Sequence, residues 1–207
     1  MSVLDDLKQA VISGKRDDAK ALTQRALDEG VEPRTIVVDG ISAAMEVVGE
    51  KFRANEFFVP ELLIAQRAMK ASLNMLSGTP IDYVGVVVIG TVKGDLHDIG
   101  KNLVAAMLEG AGFKVVDLGV DVSPAQFVSA SQENSANIIA MSALLTTTMG
   151  SMRETVKALG EAGLREKVRV LIGGAPVTQS YADEIKADGY AADAASAVEK
   201  AKGILAA

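Results

Sequence analysis

The spacing of apolar residues changes near residue 78 and separates the chain into two parts. In residues 1–78 apolar side chains recur every three or four positions, which is the period of an amphipathic helix. The pattern predicts four helices: one that ends at Gly14, one from Asp17 to Glu29, a longer one with an apolar stripe from Val37 to Phe52, and one that begins near Pro60. Because the connections are short, residues 1–78 are predicted to form a four-helix bundle.

Beyond residue 78 the pattern alternates regularly between strand, turn and helix. Near-continuous apolar runs at 84–89, 115–118, 138–141 and 168–172 are typical of parallel strands that are buried on both faces. Helical segments follow at 98–110, 124–133, 147–162 and 179–187, and a weaker fifth unit covers residues 189–206. The alternation predicts a flavodoxin-like, doubly wound α/β domain with a five-stranded parallel sheet at 79–207, linked to the bundle by the Gly/Pro/Ser segment 77–83.

Composition narrows the classes of function. The 207 residues carry a formal net charge of −6 without a run of Lys or Arg, which argues against nucleic acid or an anionic membrane as the partner. No apolar stretch approaches the roughly 18 residues of a membrane-spanning helix, and the N-terminus lacks a signal-peptide pattern, so a cytoplasmic location is expected. With no Cys and one His, the chain lacks the ligands of an ordinary zinc site, and its chemistry needs a cofactor or a partner enzyme.

Three unusual loops follow three of the predicted strands. The first strand runs into GTVKGDLHDIG at residues 90–100, the third into MSALLTTTM at 141–149, and the fourth into IGGAPVT at 172–178. In an open parallel sheet, ligands bind beyond the carboxyl ends of the strands, at the point where the strand order reverses. In the flavodoxin-like order this point lies between the first and third strands, so the loops predict one shared binding site.

His97 is the one histidine of the chain, and it lies in the first loop, two positions after Asp95. Two interpretations suit the pair: His97 caps the following helix beside an ordinary turn residue, or it is a single axial ligand to a metal that a macrocycle otherwise holds. Gly90, Gly94 and Gly100 have the wrong spacing for a dinucleotide fingerprint, and the Gly-Lys-Ser/Thr of a phosphate-binding loop does not occur.

Taken together, the motifs resemble one protein family closely. They are similar to the three-part signature of B12-binding domains that hold cobalamin with its benzimidazole displaced. The signature consists here of Asp95-x-His97-x-x-Gly100, Ser142-x-Leu144 and Gly173-Gly174. The predicted bundle resembles the cap of the methyl-carrying members, which include methionine synthase and the corrinoid proteins of methyltransferase systems. This resemblance covers nearly the whole chain.

The resemblance implies roles for the residues around the histidine. His97 would be the lower axial ligand of cobalt, and Asp95 would bind its other ring nitrogen, which fixes the tautomer and raises the basicity of the ligand. In the family a serine hydroxyl continues this chain of hydrogen bonds to solvent. The matching residue here is Thr148, which keeps the hydroxyl. Asp95 and Thr148 are thus expected to take part in the chemistry, with Asp95 helping to hold a proton when His97 leaves the cobalt.

The other two motifs imply a slot for the displaced nucleotide tail. Ser142 and Leu144 would line this slot, and Gly173 and Gly174 would leave room for the tail. The expected cofactor-binding residues are Gly94, Asp95, His97, Gly100, Ser142, Leu144, Thr146, Gly173 and Gly174, with His97 as the metal ligand.

The resemblance implies a methyl carrier rather than a complete enzyme, because the chain is too short to include the substrate domains of methionine synthase. Cobalamin would alternate between methylcob(III)alamin and cob(I)alamin. A substrate-specific methyltransferase would load it, an acceptor methyltransferase serving tetrahydrofolate or coenzyme M would unload it, and a reductive activator is a further expected partner.

Three alternatives to the methyl carrier stay open. One is a B12-dependent sensor or regulatory module, although no basic recognition helix is present for an output to DNA. Another is a subunit of an adenosylcobalamin mutase, against which the helical cap argues. The third is a flavodoxin-like signalling domain that binds no cobalamin.

Overall fold

The computed structural model describes residues 2–76 and 83–206, which form two compact units. The first unit covers Met1–Val84 together with Glu109–Gly112, and the second covers Gly85–Leu108 together with Phe113–Ala207. The predicted boundary between residues 78 and 79, and the predicted linker apart from Tyr83, lie outside the described residues. The division into 1–78 and 79–207 therefore stays a prediction.

Helices make up the first unit. They are α1 (Val3–Ile12), α2 (Arg16–Asp28), the short α3 (Pro33–Thr35), a π-helical segment (Ile36–Ser42), α4 (Ala43–Arg53) and α5 (Val59–Met75). Most residues of the apolar stripes that predicted them are buried, including Leu7, Ala19, Ile41 and Leu62. Nowhere in residues 2–76 and 83–206 is a helix both long enough and apolar enough to cross a bilayer.

The third predicted helix is not a continuous α-helix. Much of its first half is the π-helical segment Ile36–Ser42, and α4 follows at Ala43. Gly40 is buried in this segment, where a Cβ atom would lie 2.9 Å from Cδ2 of Leu7. The wider π turn moves the apolar stripe too little for the spacing of apolar residues to reveal it.

The second unit is a five-stranded parallel sheet with helices between its strands. In chain order its elements are β1 (Val86–Thr91), α6 (Ile99–Gly110), β2 (Lys114–Asp117), α7 (Pro124–Glu133), β3 (Ile138–Ser142), α8 (Gly150–Glu161), β4 (Arg169–Gly173), α9 (Gln179–Ile185), β5 (Gly189–Ala191) and α10 (Ala194–Ala206). The strands are ordered β2-β1-β3-β4-β5 and every pairing is parallel. The predicted flavodoxin-like, doubly wound fold is confirmed.

The register of the sheet aligns the ends of three strands. Thr91 at the end of β1 is paired with Ser142 at the end of β3, and Ser142 is paired with Gly173 at the end of β4. The strand order reverses at β1, which lies between β2 and β3. The three unusual loops therefore leave the sheet side by side, at the point where a ligand of this fold class binds.

Candidate functional site

The loop after β1 presents an imidazole that is held from behind by a carboxylate. His97 Nδ1 lies 2.7 Å from Asp95 Oδ1, and the His97 backbone N–H donates to the same oxygen at 3.1 Å. The Asp95 side chain has no exposed surface, whereas 53% of the His97 side chain is exposed. Because Asp95 occupies Nδ1, the other ring nitrogen, Nε2, is the one that an incoming metal can bind.

Asp95 also joins the β1 loop to the loop that follows β3. Its Oδ2 accepts hydrogen bonds from the Leu144 N–H at 2.8 Å, the Leu145 N–H at 3.3 Å and the Thr148 hydroxyl at 2.8 Å. Burial by itself would raise the pKa of Asp95, but the donors from Leu144, His97 and Thr148 outweigh burial and hold this pKa well below its usual value. The carboxylate is therefore ionised at neutral pH and acts as a hydrogen-bond acceptor.

Thr148 reaches Asp95, which the expected hydroxyl chain requires. Thr148 is only 8% exposed, and its Oγ1 also lies 2.9 Å from the Leu145 carbonyl oxygen. A hydroxyl has one proton, so it donates either to Asp95 or to the Leu145 carbonyl at a given moment. Thr148 thus anchors the carboxylate, and a continuation of the chain to solvent stays a prediction.

The double glycine at the end of β4 has a reason within the protein. Gly174 has a φ of +125°, and a side chain there would collide with the backbone of Ala143. A Cβ atom at Gly173 would lie 2.9 Å from the carbonyl oxygen of Ala191. Close approach of neighbouring backbone accounts for both glycines without a nucleotide tail, so a large side chain at Gly174 would disturb the fold before it blocked a slot.

Gly94 and Gly100 differ in whether their backbone conformation favours glycine. Gly94 has a φ of +84°, a conformation that favours glycine. Gly100 lies in the first turn of α6 without such a φ, and no atom of the described chain lies within 4 Å of a Cβ built there. The space beside Gly100, three residues after His97, is open to a bound group.

The remaining predicted residues lie on the β3 loop. Ser142 is half-buried at the end of β3, next to Thr91 and Gly173 in the sheet. Leu144 contributes a backbone N–H to Asp95 and an exposed side chain, and Thr146 is exposed. These placements are at the correct edge of the sheet, and the tail contacts expected of them stay predictions.

Large apolar side chains are exposed around the histidine. Leu96 and Ile99 on the β1 loop are 71% and 75% exposed, and Leu144, Leu145 and Val120 on the flanking loops are also exposed. Monomeric soluble proteins rarely leave such residues grouped on the surface unless they contact a ligand or a partner. The edge of the sheet therefore presents an imidazole nitrogen, His97 Nε2, together with exposed apolar side chains.

The contacts of the β1 loop that sequence reasoning missed include three hydrogen bonds. The Thr91 hydroxyl donates to the His97 carbonyl at 2.9 Å, and Asp121 Oδ1 accepts the Gly94 N–H at 2.7 Å. The Leu145 N–H is the third, on Asp95. The sequence contained a signal for the first of these contacts, namely the threonine, Thr91, at the end of an otherwise apolar run. The others depend on how the loops lie against each other.

Two family models match this chain. Both are described as a B12 binding domain, and they cover residues 85–199 and residues 3–77. Among curated relatives, the dimethylamine corrinoid protein 1 of Methanosarcina mazei is 45% identical over 98% of this chain and 96% of its own length. A corrinoid protein of Desulfitobacterium hafniense is 44% identical over 99% of this chain and 98% of its own length.

Solved structures agree with these matches. A chain in the methanol:cobalamin methyltransferase complex of Methanosarcina barkeri superposes with a TM-score of 0.90 at 31% identity, over 99% of this chain and 80% of that one. A cobalamin-binding protein from Desulfitobacterium hafniense superposes with a TM-score of 0.79 at 32% identity, over 97% of both chains.

Proposed function

The chain belongs to the B12-binding corrinoid proteins of methyltransferase systems, and from this premise we propose that it holds cobalamin with the benzimidazole displaced and with His97 as the lower axial ligand. The cofactor is cobalamin, and the role of the protein is that of a methyl carrier. The observation that carries the ligand assignment is the buried Asp95 carboxylate behind an exposed imidazole.

The residues of the site fit this cofactor in three respects. A cobalt ion that arrives with four corrin nitrogens needs from the protein a single axial ligand, and His97 Nε2 is such a ligand. Leu96 and Ile99 place apolar surface beside it, which suits the face of a broad ring. The open space beside Gly100 lets a bound group approach the start of α6 closely.

When bound, cobalamin supplies a cobalt centre that takes a methyl group from one partner and gives it to another. The contribution of the chain's own residues would be to orient the His97 ring toward this centre. The buried Asp95 carboxylate binds Nδ1, which fixes the tautomer of the ring and leaves Nε2 for the bound group. That Asp95 also helps to hold a proton when the imidazole leaves the cobalt stays a prediction.

The protein works with methyltransferases, as the methanol:cobalamin methyltransferase complex named above illustrates for a similar chain. We further propose two separate partners, one that loads the methyl group from a donor and one that passes it to tetrahydrofolate or a thiol such as coenzyme M. A reductive activator is proposed as a third partner, because cobalt(I) is readily oxidised and must be restored.

One experiment tests the lower ligand directly. Because the chain has one histidine, growth with ¹⁵N-labelled histidine places the label at a single residue. The electron paramagnetic resonance spectrum of the cobalt(II) holoprotein should show splitting by one axial nitrogen, and the pattern should change from three lines to two on labelling. His97→Ala should lose this splitting.

The control is the same spectrum of a protein that carries label in every amino acid except histidine. A splitting that keeps three lines with labelled histidine would assign the axial nitrogen to the benzimidazole of the cofactor, and the proposed ligand would be wrong.

A further inference from the structure

The loop that carries His97 is flanked by glycines and would be poorly ordered on its own. Gly94 precedes the Asp95–His97 pair with a left-handed φ, and Gly100 follows it. Glycine loses more backbone freedom on ordering than any other residue, so a loop of this composition needs external contacts to hold one conformation. On the side of the loop that faces β3, the side chain of Asp95 supplies such contacts.

The opposite side of the loop is held by the segment that follows β2. Asp121 Oδ1 accepts the Gly94 N–H at 2.7 Å, and the Asp121 N–H donates to the Asp95 carbonyl at 3.0 Å. One residue therefore binds both ends of the Gly94–Asp95 dipeptide. Asp121 does so from a left-handed conformation with a φ of +53°, which aspartate and asparagine tolerate better than other residues with a side chain.

Thr91 contacts the same loop from the end of β1. Its side chain is fully buried at the end of β1, and its hydroxyl donates to the carbonyl of His97 itself at 2.9 Å. Its backbone N–H donates to the Gly119 carbonyl, and its own carbonyl accepts the Val122 N–H. Thr91 is therefore bonded to the segment after β2 that also contains Asp121.

We propose that Thr91 and Asp121, named here the clasp, are positioning residues that orient the His97 imidazole for axial binding to cobalt. This inference rests on the proposed function. Asp95 sets the tautomer of the ring, whereas the clasp fixes the backbone from which the ring projects. A ring held in its binding orientation loses less freedom on binding, so the clasp raises the fraction of cobalt that carries histidine.

Three variants separate the hydrogen bonds of the clasp from backbone strain. Asp121→Asn keeps an acceptor oxygen and a tolerated left-handed φ, and Asp121→Gly keeps the φ but loses the acceptor. Thr91→Val keeps the shape and branching of the buried side chain but loses the hydroxyl. The matched control is Asn137→Ala, which removes a side-chain oxygen that accepts the Val86 N–H at 2.8 Å, at the opposite end of β1.

Two readouts apply to the full-length protein. In the cobalt(II) holoprotein with ¹⁵N-labelled histidine, the ratio of histidine-bound to histidine-free cobalt should fall about threefold to tenfold in Asp121→Gly and Thr91→Val, the range expected for one lost hydrogen bond. Asp121→Asn and Asn137→Ala should keep the wild-type ratio. In the apoprotein, exchange of the Gly94 amide should accelerate in Asp121→Gly and not in Asn137→Ala.

The outcomes separate this inference from the function on which it rests. Wild-type ratios in both Asp121→Gly and Thr91→Val would overturn the clasp, and so would an equal fall in Asn137→Ala, since that would indicate general destabilisation. If the wild-type spectrum shows no histidine nitrogen, the ligand assignment fails instead. Gly94 amide exchange then tests the part of the clasp that remains, the ordering of the loop by Asp121, and an unchanged exchange rate in Asp121→Gly would overturn that part as well.

Discussion

Asp95 is the residue on which the site depends most. Its carboxylate accepts five hydrogen bonds, two from His97 and one each from Leu144, Leu145 and Thr148. These donors connect the two loops on either side of the point where the strand order reverses. A single buried anion therefore joins the two loops at this edge of the sheet and orients the imidazole that we propose as the cobalt ligand.

Replacement of this carboxylate should change how stability depends on pH. The pKa of Asp95 is lowered in the folded protein, so its ionised form stabilises the fold above the unfolded pKa of about 4, and this stabilisation is lost as pH falls below that value. Asp95→Asn should lower the free energy of unfolding of the apoprotein at pH 7 by about 1 to 3 kcal/mol, because an amide nitrogen then faces backbone donors.

The measurement is urea unfolding of the apoprotein at a series of pH values. The stability difference between wild type and Asp95→Asn should shrink as pH falls from about 5 toward 3. Glu154→Gln, which removes an exposed carboxylate on α8, serves as the control and should show a small difference. A difference for Asp95→Asn that stays constant across this range would contradict the lowered pKa.

At the scale of elements, the start of α6 borders the space that we propose for the cofactor. Gly100 lies in the first turn of α6, where no backbone strain and no neighbouring atom of the described chain requires glycine. Alanine favours a helix over glycine, so Gly100→Ala should leave the apoprotein as stable as wild type or more stable by about 0.5 kcal/mol.

The same substitution should lower the affinity of the protein for cobalamin. A side chain at residue 100 projects into the space proposed for the cofactor, so cobalamin affinity should fall from wild type to Gly100→Ala and further to Gly100→Leu. Equilibrium binding of hydroxocobalamin, followed by absorption, measures this order. Gly203→Ala, at another unobstructed helical glycine in α10, should gain similar stability without loss of affinity. Unchanged affinity in Gly100→Leu would place the cofactor elsewhere.

At the scale of the whole molecule, the residues that suit a cofactor can be compared with those that the activation of a methyl donor requires. It has no Cys, its one His is assigned to cobalt, and within residues 2–76 and 83–206 no three His, Asp or Glu side chains form a metal-binding group. Catalysis of methyl transfer from a stable donor needs a positioned acid, base or metal. This distribution of groups fits a carrier that relies on partner enzymes.

We therefore predict that the reduced holoprotein will not take a methyl group from any stable donor at an enzymatic rate on its own. The test is anaerobic: methanol, methylamines, betaines and aryl methyl ethers are supplied singly, and the absorption of cobalt(I) is followed over time. Free cobalamin under the same conditions measures the background. Addition of a matching substrate-specific methyltransferase should start the reaction. Turnover by the chain alone, above that background, would contradict the carrier role.

The fold could be predicted because its elements are encoded in local patterns. Apolar runs marked β1 to β4 within about two residues of their observed bounds, and the apolar stripes of α1, α2 and α5 are the ones that are buried. The π-helical segment Ile36–Ser42 was missed, since its backbone hydrogen bonds leave the apolar spacing almost unchanged. The helix after β3 begins at Gly150 rather than near 147, because residues before it bind Asp95.

By itself, the sequence determined the fold class, the edge of the sheet where the three motif loops meet, and the identity of His97 and Asp95 as a pair, because those features depend on periods and spacings of a few residues. Only the tertiary structure decided which atoms hold that pair. Leu144 lies 49 residues after Asp95, and the two meet because β3 pairs with β1. Asp121 lies 27 residues after Gly94, and these two meet because β2 pairs with β1. Register is a property of paired strands, so local spacing contains no record of these contacts, or of the Ala143 backbone that makes Gly174 necessary.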